Sequence, residues 1–298
     1  MKHGRQLSGS FSTPMSNNYC PELDYSPYLA DDTINYYMEL IGILRWIVEL
    51  GRIDIMVNVS ILSSYSMAPR QGHLDRVFHI FGYLKQNKRA TIVFDESHVE
   101  WDKSSFEKQG WCDFYRDGKE NIPSNMPIPR GNPVQINCFV DSDHVGNKAT
   151  RQSQTGIIIF INCLPIIWFS KAQNMVETST FGSEFTAMRI AVKLLEGLRF
   201  KLRMIVVPLE GPVNTFCDNS SVVTNASQPS STLKKKHNSI AYHRVREAVA
   251  ANVIRVARVH SNKNLADLLT KPLPGPSLHY LCEKILYLYK DNSETSSE

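Results

Sequence analysis

The 298-residue sequence has no CxxC pair and no Cys/His cluster at zinc-ligand spacing, which excludes a zinc finger and a dithiol redox centre. Its six cysteines, Cys20, Cys112, Cys138, Cys163, Cys217 and Cys282, are scattered. Three lie in apolar, strand-like runs where Cys acts as a small hydrophobe, and all six read as reduced and structural, consistent with an intracellular protein. No apolar run is long enough to cross a bilayer. The longest, Gly156 to Phe169, is broken by Asn162 and Pro165 and reads as two strands around a turn. The N-terminal MKHGRQLSGSFSTPMSNN lacks the apolar core of a signal peptide. Charge is not lopsided either: a net +4 permits a nucleic-acid partner without requiring one, so where the charges sit matters more than their sum.

What remains is a chain with 42% hydrophobic residues, enough for one large or two modest domains. Residues 1–33 are polar and read as an irregular segment. Over 34–95, Leu40, Ile43, Leu44, Ile47 and Val48, then Leu74, Val77, Phe78, Ile80, Phe81 and Leu84, recur at helical spacing. Residues 96–134 lose periodicity and read as a loop or linker. From 135 to 275 the pattern alternates. A strand ends at Asp141, a hairpin-like pair of strands follows, and Ser179 to Met204 is a long helix. Another strand ends at Asp218, a basic helix spans 234–252, and Val253–Val259 is a strand before a helix opening near Asn264. Such alternation predicts an α/β domain with a mixed sheet flanked by helices. Residues 276–298 read as a C-terminal helix and a disordered acidic tail.

Asp141 and Asp218 stand at the C-terminal ends of apolar strands, where α/β sheets present ligand-binding groups. Glu184 lies in the first turns of the long helix and Asp267 at the start of a later one. Four carboxylates on different elements suit hard divalent cations, and two such ions can activate water and stabilise the leaving oxygen of a phosphodiester. The same positions also suit caps and turn formers, and spacing alone does not separate the two readings.

The segments FVDSDHVGNKATRQSQTG (139–156), STFGSEFTAM (179–188), FCDNSSVV (216–223), KKKHNSIAYHRVRE (234–247) and NLADLLTKPLP (264–274) resemble the ribonuclease H domain of copia-type LTR retrotransposon Pol polyproteins, in the same order. TPMSNNYCPELD (13–24), YYMELIGILRWIVELGRIDI (36–55) and HLDRVFHIFGYLK (73–85) resemble the region after the polymerase palm of those polyproteins. The resemblance implies a ribonuclease H-like mixed sheet over 135–275, preceded by a small, mainly helical thumb- or connection-like region. It places Asp141, Glu184, Asp218 and Asp267 as the catalytic and metal-binding carboxylates, in the order Asp, Glu, Asp, Asp rather than the Asp, Asp, Glu of integrases. It further implies Mg²⁺, or Mn²⁺ in its place, as a pair of ions, hydrolysis of the RNA strand of an RNA–DNA hybrid, and the remaining polymerase portion of a Pol polyprotein as a partner. Location is expected to be intracellular, in cytoplasmic virus-like particles or the nucleus, and no membrane is involved.

Some positions depart from the family. DSDHVGN stands where DADWAGD is common, so His144 replaces an aromatic and Asn147 an acid, while Phe181 and Gly182 stand where Thr and Glu are frequent. The string FVDSD comes near a polymerase's paired aspartates, but Ser142 separates the acids, so no polymerase activity is expected.

Between Leu233 and Lys263, Lys234, Lys235, Lys236, Arg244, Arg246, Arg255, Arg258 and Lys263 face a single acid, Glu247. Such a run can neutralise phosphates or form a solvated face. Lys234, Lys235, Lys236, His237, His243 and Arg246 are the expected nucleic-acid contacts, although His237 and His243 also fit structural roles. His260, seven residues before Asp267, is an accessory proton carrier or a loop residue. Ser153, Thr155 and Gly156 match the family's turn before the second strand, where backbone amides are placed to meet RNA 2′-OH groups. Two readings follow: an active hybrid-specific nuclease, or a catalytically decayed nucleic-acid-binding or interaction module.

Overall fold

The computed structural model describes residues 9, 11–93, 95, 97, 106, 109–115, 118–233 and 236–288. Lys234, Lys235 and the acidic tail from 291 lie outside the described residues. The chain forms two compact units, residues 1–93 with 271–298, and residues 94–270.

The first unit carries α1 (Asp31–Glu49), α2 (Met56–Ser63), α3 (Gln71–Gln86) and β1 (Ala90–Ile92), then α7 (Gly275–Cys282) and β7 (Leu286–Leu288), numbered along the chain. On α1 the buried stripe is Tyr37, Leu40, Ile41, Leu44 and Val48, a helical repeat of three and four residues. Ile43, expected on that stripe, faces out. Inside the unit the Tyr37 hydroxyl donates to the Leu62 carbonyl at 2.7 Å, and Arg52 forms a buried ion pair with Asp54 at 2.7 Å. β1 and β7 pair antiparallel, Ala90 opposite Leu288.

The second unit holds β2 (Ile136–Asp143), β3 (Gln154–Ile161), β4 (Leu164–Ala172), α4 (Thr180–Met204), β5 (Val213–Cys217), α5 (Ser220–Ser227), α6 (Ser239–Ala250) and β6 (Ile254–Arg258). Short 3₁₀ turns occupy Lys236–Asn238 and Leu265–Leu269. The sheet order is β4-β3-β2-β5-β6. β2, β3 and β4 form an antiparallel meander, while β5 and β6 run parallel to β2 and therefore need the helical crossovers α4 and α5–α6. This is the mixed sheet flanked by helices that the alternating pattern predicted. Of Ser153, Thr155 and Gly156, expected as a turn, Thr155 and Gly156 instead belong to β3, paired in register with Ser142 and Asp141 of β2. The basic stretch is not one helix from 234: a 3₁₀ turn at 236–238 precedes α6.

One face of the sheet (Cys138, Val140, Ile157, Ile159) packs against Phe185, Met188, Val192 and Leu195 of α4, with Tyr242 and Val245 of α6 behind them. Each such large side chain contributes about 1.5–3 kcal/mol of burial. Packing this face fixes the rotation of α4, and Glu184, next to Phe185, is thereby turned inward with 4% of its surface exposed.

Candidate active site

β2 and β5 are parallel neighbours, so Asp141 near the end of one and Asp218 just after the other arrive at the same edge of the sheet. α4 crosses above them and brings Glu184. The carboxylate oxygens of Glu184 and Asp218 and the Cys217 sulfur lie within 4.8 Å of one another. Asp141 acts electrostatically on Glu184 although it lies outside that tight group. Burial pushes the Glu184 carboxyl up to about 7, and the negative charges of Asp218 and Asp141 add to the rise.

Glu184 is held from two directions. The Cys217 thiol donates to Oε2 at 3.1 Å, and the Asn219 amide donates to Oε1 at 3.0 Å. Burial and the Glu184 charge push the Cys217 thiol well above its ordinary value, so it stays a donor. Asn219 also caps α5, accepting at Oδ1 from the backbone amides of Ser221 and Val222. Gln173 ties the layers together: its amide donates to the Thr155 hydroxyl at 3.0 Å and to the Ser183 carbonyl, beside Glu184, at 2.8 Å.

Asp141 is positioned from the opposite end of the unit. The Thr270 hydroxyl donates to Asp141 Oδ2 at 2.7 Å, with the Asp267 carbonyl 3.3 Å from the same hydroxyl. Gly156, opposite Asp141 in the ladder, makes this approach feasible. A Cβ there would stand 2.6 Å from both the Ala266 carbonyl and Thr270 Cγ2, so any other residue would push the 265–270 turn off the sheet. Asn264 fixes the same turn by donating to the Val140 carbonyl at 3.1 Å. Asp267 thus sits on a turn anchored beside Asp141, and it is half-buried. Thr270→Val removes the donor that orients Asp141. It is expected to weaken divalent-cation binding by about 10-fold, read by calorimetry.

The hard oxygen donors of Asp141, Glu184 and Asp218, concentrated around a carboxyl that burial and its neighbours keep hard to ionise, fit a divalent cation such as Mg²⁺. Adding positive charge there reverses the penalty on Glu184.

The expected phosphate contacts divide. Lys236 and His237 are exposed. His243 accepts or donates at Nδ1 to the Tyr115 hydroxyl at 2.7 Å. Arg246 is the correction: it is 2% exposed, and its guanidinium donates to the carbonyls of Asn225, Gln228 and Pro229 and to the Ser231 hydroxyl. Its plane lies over the Trp111 and Tyr242 rings at 4.8 and 4.7 Å, so it braces the loop 225–231 instead of facing a ligand. Arg244 pairs with Glu196, and Arg255 donates to Asn214 at 2.6 Å. The local excess of cations is therefore smaller at the surface than in the sequence. Arg258, exposed, donates to the Asp218 backbone carbonyl at 3.4 Å. His260 is exposed at the start of the 261–263 turn. Sequence reasoning missed Cys217, Asn219, Gln173 and Thr270 as supports of the site. Only Asn219 carried a signal, as the capping residue before a short helix.

No protein-family model matches the chain. Sequence comparison finds the retrovirus-related Pol polyprotein from transposon RE1 of Arabidopsis thaliana, 25% identical over 274 residues, covering 92% of this chain and 16% of the relative. The corresponding polyprotein from transposon TNT 1-94 of Nicotiana tabacum is 23% identical over 284 residues, covering 94% and 19%. The Ty1-JR1 Gag-Pol polyprotein of Saccharomyces cerevisiae is 20% identical over 268 residues, covering 89% and 13%. The chain thus spans under a fifth of the length of these relatives. Among solved structures, LC11-RNase H1 isolated from compost is 16% identical, covers 46% of this chain and 92% of its own, and has a TM-score of 0.37. The same protein in complex with an RNA/DNA hybrid gives 15% identity and a TM-score of 0.37, covering 46% of this chain and 94% of its own. The chain is similar to Pol polyproteins of copia-type retrotransposons over about nine-tenths of its length, as its motifs indicated.

Proposed function

We propose that the 94–270 unit is a ribonuclease H-type endonuclease that hydrolyses the RNA strand of an RNA–DNA hybrid. The observation that carries this reading is the buried Glu184 carboxylate, pushed up to about 7 beside Asp218 and Asp141 and oriented by two donors. A protein that needed only a packed helix would place an apolar residue there.

Asp141, Glu184, Asp218 and Asp267 would hold a pair of Mg²⁺ ions, with Mn²⁺ as a substitute. The metal, when bound, supplies activation of water and neutralisation of charge on the leaving oxygen. The chain's own residues do the rest. Cys217 and Asn219 keep both Glu184 oxygens aimed into the site, and Thr270 does the same for Asp141. Lys236, His237, Arg258 and Lys263 attract the hybrid's phosphates, and His260 carries a proton at the exposed edge. We assign no polymerase step to the chain: its adjacent aspartates, Asp31 and Asp32, open helix α1 rather than a turn between two strands, and Asp141 and Asp143 lie on β2 separated by Ser142. In the cell it would act with the rest of a Pol polyprotein, in cytoplasmic particles or the nucleus.

The departures at 144, 147, 181 and 182 favour a second reading, a decayed module that binds hybrid without cutting it. Asp218→Asn and Asp141→Asn decide between them. Each is expected to lower hybrid cleavage about 10³-fold, with hybrid affinity within about threefold of wild type. Wild-type binding without turnover would leave only the second reading.

A further inference from the structure

Gly182, one of the two departures in the Glu184 motif, is not empty space. A Cβ on Gly182 would lie 2.4 Å from Glu177 Oε2 and 2.7 Å from Asn238 Nδ2. The volume of a side chain in the first turn of α4 is therefore filled from outside. The carboxylate comes from the loop before α4, and the amide comes from the 3₁₀ turn at 236–238. Glu177 is 4% exposed and Asn238 3%. Glu177 Oε1 accepts from the Thr186 hydroxyl at 3.4 Å, but among the described residues neither Glu177 Oε2 nor Asn238 Nδ2 has a hydrogen-bond partner. Among the described residues, the basic group near Oε2 is the His237 imidazole, whose Nε2 stands 3.5 Å away, close enough to pair but not aligned as a hydrogen bond, while half of its side chain stays in solvent.

A buried carboxylate oxygen without a hydrogen bond costs stability, so packing does not explain Glu177. The N-terminus of a 25-residue helix beside it makes the charge tolerable. We propose that Glu177 is a positioning residue. Standing in for a side chain at 182, it holds His237, and with it the basic turn 236–238, against the head of α4, so that the imidazole meets the backbone of a bound hybrid. This inference rests on the nuclease reading for its ligand, but not for the pairing itself.

The test moves the charge without moving it in space. A carboxylate oxygen of Asp lies about 2.4 Å from its own Cβ, the distance at which Glu177 Oε2 stands from the Cβ position of residue 182. Three variants of the full chain are needed: Glu177→Ser, Gly182→Asp, and both together. Their hybrid affinity, Tm and His237 ring-proton chemical shifts are measured. Glu177→Ser is expected to weaken hybrid binding about 10-fold and shift the His237 signals, with Tm unchanged or higher. The double variant restores the signals and brings affinity within about threefold of wild type. Gly182→Asp alone lowers Tm, because two carboxylates compete for one space. His237 signals and affinity that ignore Glu177→Ser, or a double variant no better than Glu177→Ser, would overturn the proposal. If wild type binds no hybrid, the nuclease reading and the ligand of this inference fail together, and the His237 shifts alone decide whether Glu177 holds the imidazole.

Discussion

Glu184→Gln is expected to abolish hybrid hydrolysis and, at pH 8 without metal, to raise stability by about 2 kcal/mol. The carboxyl's pKa is raised from 4.5 to about 7 in the folded protein. The fold thus favours the neutral form. Its contribution is fully present below about 4.5 and is lost as the pH climbs to about 7, because the unfolded chain ionises first. A rise of that size costs about 3 kcal/mol above pH 7. Glutamine removes the charge but can accept at only one oxygen, so one of the donors, Cys217 or Asn219, goes unmatched at about 1 kcal/mol. The remainder corresponds to a Tm about 5 °C higher at pH 8. At pH 4.5 the advantage disappears. Mg²⁺ should reverse the order at pH 8, stabilising wild type and not the variant, because the ion binds the ionised carboxylate. Thermal unfolding at both pH values, with and without Mg²⁺, measures each part. A Glu184→Gln protein no more stable than wild type at pH 8 would mean that the carboxylate already has a cation of its own.

Arg246→Ala is expected to destabilise the protein by about 3–5 kcal/mol. The guanidinium satisfies three carbonyls and a hydroxyl in the 225–231 loop and sits between the Trp111 and Tyr242 rings. Removing it takes a charged donor from all four acceptors at once, and the Asn225 and Gln228 carbonyls keep only the neutral donors of Ser231. Lysine restores less than half of the loss, since one ammonium cannot reproduce a planar fork spread over several acceptors. Urea unfolding gives the number. A phosphate-binding arginine would behave differently: the variant would keep its stability, and the slope of hybrid affinity against salt would fall by about one.

These two residues also show what could be read from the sequence. Asp141, Glu184 and Asp218 were legible because each sits at a boundary that hydrophobic periodicity marks, the end of a strand or the head of a helix. Their order within a resembling set of motifs supplied the chemistry. The supports were not legible, because they come from far along the chain. Thr270 reaches Asp141 across 129 residues and depends on the absence of a side chain at Gly156. The thiol of Cys217 looked like a small hydrophobe of β5, and only the crossing of α4 turns it toward Glu184. The basic stretch misled in the other direction. Sequence shows Arg244 and Arg246 among cations, but not Glu196, 48 residues earlier, nor the carbonyls that turn Arg246 inward. Local charge counts register signs; only the fold shows which charges are already matched.

The most direct measurement is single-turnover cleavage of an RNA–DNA hybrid labelled on one strand at a time, with Mg²⁺ and with a chelator. Cuts in the RNA strand alone, present with Mg²⁺, absent with the chelator and absent in Asp218→Asn, are expected. An intact RNA strand with saturating Mg²⁺, or cleavage that Asp218→Asn leaves unchanged, would contradict a catalytic metal site at these carboxylates.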